Sequence, residues 1–408
     1  MAGRSGGGYG PRGYALPRSG LFAGRPRSLL SRAFARKSVL RHMDWLLVLV
    51  VCGLSALGTL LVWSATQPSL IAQGADPRTY LKKQLLNVVV GLVLMFAVSL
   101  VDSRRLRAWA PAFYGLTVLS LLAVLSPLGS DVNGAHAWIS LPGGFQVEPS
   151  EFAKIALIGI TAMVFSKRGT PRPGVKACLI ALGCAAPLLG LVVVEPALGV
   201  AMVLVVVLAT MIVLSGMRLR IIAVLTAIVG AAIAMAGGLH LLKSYQLTRF
   251  TSFLHPAANL AGAGYNAAQA KIAVGSGGMF GQGLFHGQLV AGNFVPAQQT
   301  DFIFTVAGEE LGFVGAIVIV FGLGVVIIRA LRIASRADDQ FGMLVASGIA
   351  VWFGFQSFVN IGMTIGIMPI TGLPLPFLSY GGSAVFADMI AIGLLQSVHR
   401  RHNVFGDG

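Results

Sequence analysis

The chain has 408 residues, of which 56% are hydrophobic and only 11% charged, against roughly 25% charged in a soluble domain. That balance excludes a soluble globular protein. The net charge of +16 is read as membrane topology and attraction to anionic lipid, with no call for nucleic acid.

Residues 1–43 are rich in Gly, Arg, Ser and Pro and read as a disordered basic tail. The polar lead is too long, and the first apolar block too extended, for a cleaved signal peptide. Ten apolar blocks follow, most reaching the ~17–20 residues that a hydrocarbon layer of ~30 Å requires. They lie at about 45–65, 84–101, 108–126, 151–166, 176–194, 197–215, 221–239, 302–328, 342–362 and 383–398. The fold class is therefore all-α, a polytopic membrane protein of about ten transmembrane helices. Cys52, Cys178 and Cys184 all fall in apolar stretches without metal-ligand spacing, and no disulfide framework is indicated.

Lysine and arginine set the orientation. Of the 30 in the chain, nine are in the tail, twelve in loops that ten spans put on the same side, and two at the C-terminus. Six lie opposite, and Lys154 alone falls inside a span. Both termini are thus expected in the cytoplasm. The division is a tail at 1–43, a transmembrane domain at 44–402 and a short cytoplasmic end at 403–408. A large extracytoplasmic loop is expected at about 240–300, between spans seven and eight.

Four segments break the apolar pattern. In the first, Phe145-Gln146-Val147-Glu148-Pro149-Ser150-Glu151-Phe152-Ala153-Lys154, Ser150 is placed to cap a helix. Glu151 and Lys154 then form an i,i+3 pair on one face. An ionisable group within the bilayer costs roughly 2.5–3.5 kcal/mol and usually marks a substrate path. The second, about 240–300, carries Arg249, His255, Asn259, Tyr265, Gln269, Lys271 and the run Gly275-Ser276-Gly277-Gly278-Met279-Phe280-Gly281. Its length points to a functional element. The run has the wrong spacing for a dinucleotide fingerprint; its amides suit either a diphosphate cradle or a hinge.

The third segment, Thr300 to Gly312, spaces Asp301, Thr305 and Glu309 at i, i+4, i+8, a stripe on one helix face. These carboxylates are expected to share one cavity with Glu151, Lys154, Arg249 and Lys271. Asp388, in the tenth span, reads as a structural hydrogen-bond acceptor. The fourth segment, Pro369 to Ser383, crowds Pro374, Pro376, Ser379, Tyr380, Gly381 and Gly382 between two apolar runs. Its backbone must bend repeatedly, and such irregular chain at membrane depth survives only as the wall of a protein-lined or watery site.

These four segments together resemble the SEDS family of bacterial cell-wall polymerases, whose best-known members are RodA and FtsW. The resemblance covers about 45–400, and the Lys271-to-Gly278 wording is closer to RodA. It implies a peptidoglycan glycosyltransferase in the bacterial inner membrane that polymerises lipid II in elongation or division. The growing glycan passes from undecaprenyl diphosphate to the 4-hydroxyl of the next disaccharide, and a class B penicillin-binding protein crosslinks the product. An aspartate shortly before Gly262 is the family's catalytic group; Asn259 stands at that position here. Ala197 likewise stands where the family has Pro-Asp-Leu-Gly. Asp301 and Glu309 are the carboxylates left to serve. Glu151, Lys154, Arg249, Tyr265, Gln269, Lys271, Ser379, Tyr380, Gly381 and Gly382 are the expected substrate contacts. A divalent cation would help neutralise the diphosphate, although no ligand cluster in the sequence announces one. Two other classes stay open: a lipid II flippase or transporter, and a catalytically weakened scaffold that activates a penicillin-binding protein.

Overall fold

The computed structural model describes residue 3 and residues 42–127, 129–132, 135–141, 145–166, 174–218, 220, 223 and 262–405. Residues from 42 onward form one compact unit, distinct from residues 1–41. Nearly all of the tail and of the seventh predicted span, with Arg249, His255 and Asn259, lie outside the described residues.

The elements run α1 (Trp45–Ala72), α2 (Thr79–Leu100), α3 (Ser103–Val124), β1 (Gly129–Val132), β2 (Ala135–Leu141), β3 (Phe145–Val147), α4 (Pro149–Phe165), α5 (Val175–Val194) and α6 (Leu198–Leu214). After the undescribed stretch come α7 (Ala263–Ser276), α8 (Gln288–Ala291), α9 (Ile303–Ser335), α10 (Gln340–Ile365) and α11 (Gly382–Phe405). Every predicted span except the seventh coincides with one of these helices. Seven of them, α1, α2, α3, α5, α9, α10 and α11, are long and apolar enough to cross a membrane. The protein is a polytopic helical membrane protein.

Burial sorts the helices. The apolar windows of α10 and α11 are 72% buried, against 22–28% for α2, α3, α5 and α9. Almost all of α4 is buried too, so α4, α10 and α11 are the centre and α2, α3, α5 and α9 a rim. The rim helices expose Val93, Leu116, Leu179 and Phe321, which suits hydrocarbon as solvent. Contact between helices is close where side chains are absent. A Cβ added to Gly58 of α1 would lie 2.5 Å from Leu378 Cα, so the Pro369–Ser383 loop rests directly on α1.

Three features differ from the sequence expectation. A small antiparallel sheet, ordered β1-β2-β3, occupies the first outer segment. Its register pairs Gly129 with Ile139 and Ile139 with Val147, and it delivers the chain to the start of α4. Secondly, the predicted loop is largely structured from 262 onward. Ala270 and Ala273 of α7 are buried with Val295 and Phe302, and α7 packs on α9 and α10.

The third difference is a break in α9. Gly312 adopts φ 66°, ψ −164° inside the helix, a conformation that only glycine reaches without strain. The glycine run docks into this break. Gln282 and Gly283 amides donate to the carbonyls of Glu309 and Glu310 at 2.9 and 3.0 Å. Phe313 and Val314 amides donate back to Gly278 and Met279 at 3.0 and 3.1 Å. The run is therefore fixed against α9 and is not a free hinge. It supplies the backbone partners that a broken helix at membrane depth requires.

Candidate functional site

At the start of α4, Pro149 occupies the first helical position and Glu148 the cap. Ser150 is not the cap, contrary to its residue type: its hydroxyl donates to Glu148 Oε1 at 2.8 Å. Proline with its fixed φ and missing N–H is what moves the helix start forward. The Glu148 amide itself donates to Ser383 Oγ at 2.8 Å, joining this corner to the first turn of α11.

One turn further in, Lys154 is fully buried and its Nζ lies 2.8 Å from Glu151 Oε2. It donates a second hydrogen bond to Gln356 Oε1 at 2.9 Å and stands 4.6 Å from the centre of the Trp352 ring. Trp352 Nε1 reaches the same Gln356 oxygen at 2.7 Å, and the Gln356 amide nitrogen donates to the Pro374 carbonyl at 2.8 Å. A charge so placed is tolerable because a carboxylate, an amide oxygen and an aromatic face all receive it.

The Pro369–Ser383 loop is the second wall. Asn360 Nδ2 donates to the carbonyls of Asp301 and Leu373 at 2.8 and 2.6 Å. Ser379 Oγ donates to the Thr300 carbonyl at 2.6 Å and accepts the Leu375 amide at 2.7 Å. Tyr380 donates its amide to Gln299 at 2.9 Å and meets Tyr80 edge-on. The Asp301 carboxylate faces Gly372, where an added Cβ would lie 3.4 Å from Oδ2. Asp388 accepts the Phe377 amide at 3.1 Å, the structural bond expected of it. Phe377 itself sits at φ 66°, a strained position for a bulky residue.

The structure thus brings Glu151, Lys154, Asp301, Ser379 and Tyr380 into one connected wall, with Gly381 and Gly382 at its edge. It does not bring Glu309 there. Both Glu309 oxygens accept amides of α8, Leu289 at 2.7 Å and Val290 at 3.1 Å. Its neighbour Glu310 accepts the Ser64 hydroxyl at 2.5 Å. The expected stripe of Asp301, Thr305 and Glu309 fails for a local reason. The helix begins only at Ile303, so Asp301 belongs to the preceding turn. Thr305 binds the Phe302 carbonyl at 2.6 Å. Tyr265, Gln269 and Lys271 are carried on α7. The Lys271 stem crosses Gly366 at the end of α10, and its ammonium has no ion pair among the described residues.

Four residues of this region went unread in the sequence. Gln356 and Trp352 look like ordinary core residues of an apolar helix. Glu148 and Glu195 carry a signal, a carboxylate beside proline at a helix end. Among the described residues neither Glu195 oxygen has a hydrogen-bond partner, although the residue is buried. Loss of water, then the nearby charge of Glu148, pushes its pKa up to about 8. Glu148 is raised to about 8 as well, first by desolvation, then by Glu151 and Asp301, against the Ser150 hydrogen bond and Lys154. A carboxyl that titrates near neutrality can take or give a proton at working pH. Among the described residues no group of three or more His, Cys, Asp or Glu is arranged to hold a metal ion.

Residues 44–404 match the model of a family described as cell cycle proteins, FtsW, RodA and SpoVE. A probable peptidoglycan glycosyltransferase FtsW from Trichlorobacter lovleyi is 37% identical over 366 residues, covering 88% of this chain and 93% of that protein. The peptidoglycan glycosyltransferase MrdB of Escherichia coli K12 is 35% identical over 358 residues, covering 88% and 94%. Among solved structures, a chain of a peptidoglycan synthase complex that coordinates polymerization and crosslinking superposes with a TM-score of 0.73. It is 29% identical and covers 88% of this chain and 98% of that one.

Proposed function

The chain belongs to the FtsW, RodA and SpoVE family of cell cycle proteins, and we infer from this that it is a peptidoglycan glycosyltransferase acting within the membrane. The substrate reading is lipid II. The 4-hydroxyl of an incoming disaccharide loses its proton and attacks the anomeric carbon of the growing glycan. The bond from that carbon to undecaprenyl diphosphate breaks, and the diphosphate leaves with the electron pair.

One observation carries this reading: a lysine buried in the membrane domain, paired with Glu151 and fixed through Gln356 to an irregular loop that also binds the Asp301 turn. A membrane helix holds such a group where a polar substrate must be met. In this scheme Asp301 and Glu148 are the proton-accepting candidates. Lys271 and Arg249 answer the charge of the departing diphosphate, as preorganised cations do for developing anions. Tyr265, Gln269, Ser379, Tyr380, Gly381 and Gly382 shape the substrate path. Glu309 positions α8 and takes no part in proton transfer. Asn259, an amide, accepts hydrogen bonds but does not take a proton near neutral pH, so the natural chain works at a reduced rate.

The same reading gives a bacterial inner-membrane protein with both termini in the cytoplasm and residues 240–300 outside. It also gives a class B penicillin-binding protein as partner. Purified full-length protein given lipid II decides the activity. Glycan chains are the expected product; translocation without chains would make it a transporter, and neither outcome would make it a scaffold.

A further inference from the structure

The far end of α9, away from Asp301, holds a second site. A pocket of about 110 Å³ is lined by Asp44, Arg329, Arg332, Ile333, Arg336 and His399. Its frame is rigid. Arg329 Nη2 and Nε lie 2.5 and 2.6 Å from Asp44 Oδ2. Asp44 is locked to α11 by two hydrogen bonds with Gln396, amide to Oε1 at 2.9 Å and Nε2 to carbonyl at 3.0 Å. Buried Ile333 also lines it.

The charges in this pocket do not balance. Asp44 satisfies Arg329. Arg332 and Arg336 are exposed, and their guanidinium groups make no hydrogen bond or ion pair among the described residues. They are also one helical turn apart, the spacing at which like charges destabilise a helix. Three arginines and His399 line this small cavity with a single carboxylate, which leaves room and positive charge for an anion. Planar, multiply hydrogen-bonding arginine favours phosphate above other anions.

We propose that this pocket binds a phosphate group through Arg332 and Arg336, with Arg329 held in place by Asp44. The phosphate is the phosphodiester of an anionic lipid headgroup or a free phosphate ion; the chemistry is the same and the sources are separable. The proposal is independent of the glycosyltransferase reading, since it uses none of the residues assigned to that site.

The test uses the full chain in detergent, with an Arg332→Gln/Arg336→Gln variant and, as control, Arg104→Gln/Arg105→Gln. The control removes two other exposed arginines and leaves the pocket intact. Native mass spectrometry would count adducts with phosphatidylglycerol and with phosphatidylcholine. Thermal shift would follow inorganic phosphate at constant ionic strength. For a lipid source, phosphatidylglycerol adducts form on the natural protein and weaken about a hundredfold in the pocket variant, as expected for two lost charged hydrogen bonds, but not in the control. For a free-phosphate source, inorganic phosphate raises Tm of the natural protein and the control but not of the pocket variant. The proposal is overturned if the pocket variant behaves as the natural protein with both probes. It is equally overturned if the control loses as much, or if a polyglutamate peptide binds there and neither phosphate probe does.

Discussion

Lys154 and Gln356 meet across 202 positions of sequence, Nζ to Oε1 at 2.9 Å, and the same oxygen also receives the Trp352 indole N–H. Gln356 is therefore the joint between the buried ion pair on α4 and the Pro369–Ser383 loop, because its nitrogen continues to the Pro374 carbonyl. An amide suits this place: it accepts from the cation side and donates to the loop side at once.

Removing one member of the pair leaves the other buried and uncompensated. Lys154→Met should lower stability by about 3–5 kcal/mol, the usual cost of breaking a buried pair from one side. Lys154→Met/Glu151→Gln should recover part of that loss, since no isolated charge remains. Thermal unfolding in detergent checks both variants. A double variant less stable than the single one would show that Glu151 is held by something other than Lys154.

The splice between the glycine run and α9 makes a graded prediction. At Gly281, φ is +82° and an added Cβ would collide with the Glu310 carbonyl; at Gly278, φ is +55° and nothing lies within 4 Å. Gly278→Ala should cost only about 1–2 kcal/mol, the penalty of the left-handed region. Gly281→Ala should be markedly worse. Folded yield and Tm measure the difference, and equal effects would contradict the close backbone approach.

Glu195 predicts a pH dependence. Its folded pKa is about 8, above the ~4.3 of a free glutamate, so the folded state holds the proton more tightly than the unfolded one. That contribution is complete below the unfolded pKa and is lost as pH rises through about 8. Glu195→Gln should therefore be more stable than the natural protein at pH 8.5 and should flatten the fall of Tm between pH 5.5 and 8.5. An unchanged slope would mean that the Glu195 carboxylate finds a partner.

Asn259 decides where the base is. Asn259→Asp should raise lipid II turnover, by up to the ~10²–10⁴-fold typical of general base catalysis, and Asp301→Asn should lower the activity of the natural chain. Equal turnover in the natural protein, Asn259→Asp and Asn259→Ala would remove position 259 from the reaction.

Orientation has its own test. In a background without Cys52, Cys178 and Cys184, a cysteine at Ser244 should react with an impermeant thiol reagent from outside. A cysteine at Ala384 supplies the second topology marker. Labelling at 244 only from the cytoplasm would reverse the topology.

Helices were legible from the sequence because bilayer thickness translates directly into run length, and the Glu151–Lys154 pair because helical spacing is short-range. What failed involved competition at helix starts. Pro149 claimed the first helical position and displaced Ser150, and the turn before Ile303 removed Asp301 from the stripe. Gln356 and Trp352 were invisible for a different reason. Their role exists only through partners on α4 and on the Pro374 loop, and no local pattern encodes a contact across 202 positions.

The break at Gly312 also bears on how the chain is made. An intact helix can leave the translocon as a finished rod, with all its amides satisfied from within. Here Phe313 and Val314 need carbonyls from residues 278 and 279, some 35 positions earlier in synthesis. The earlier segment has already emerged when they arrive, so α9 completes itself against chain that is waiting beside it.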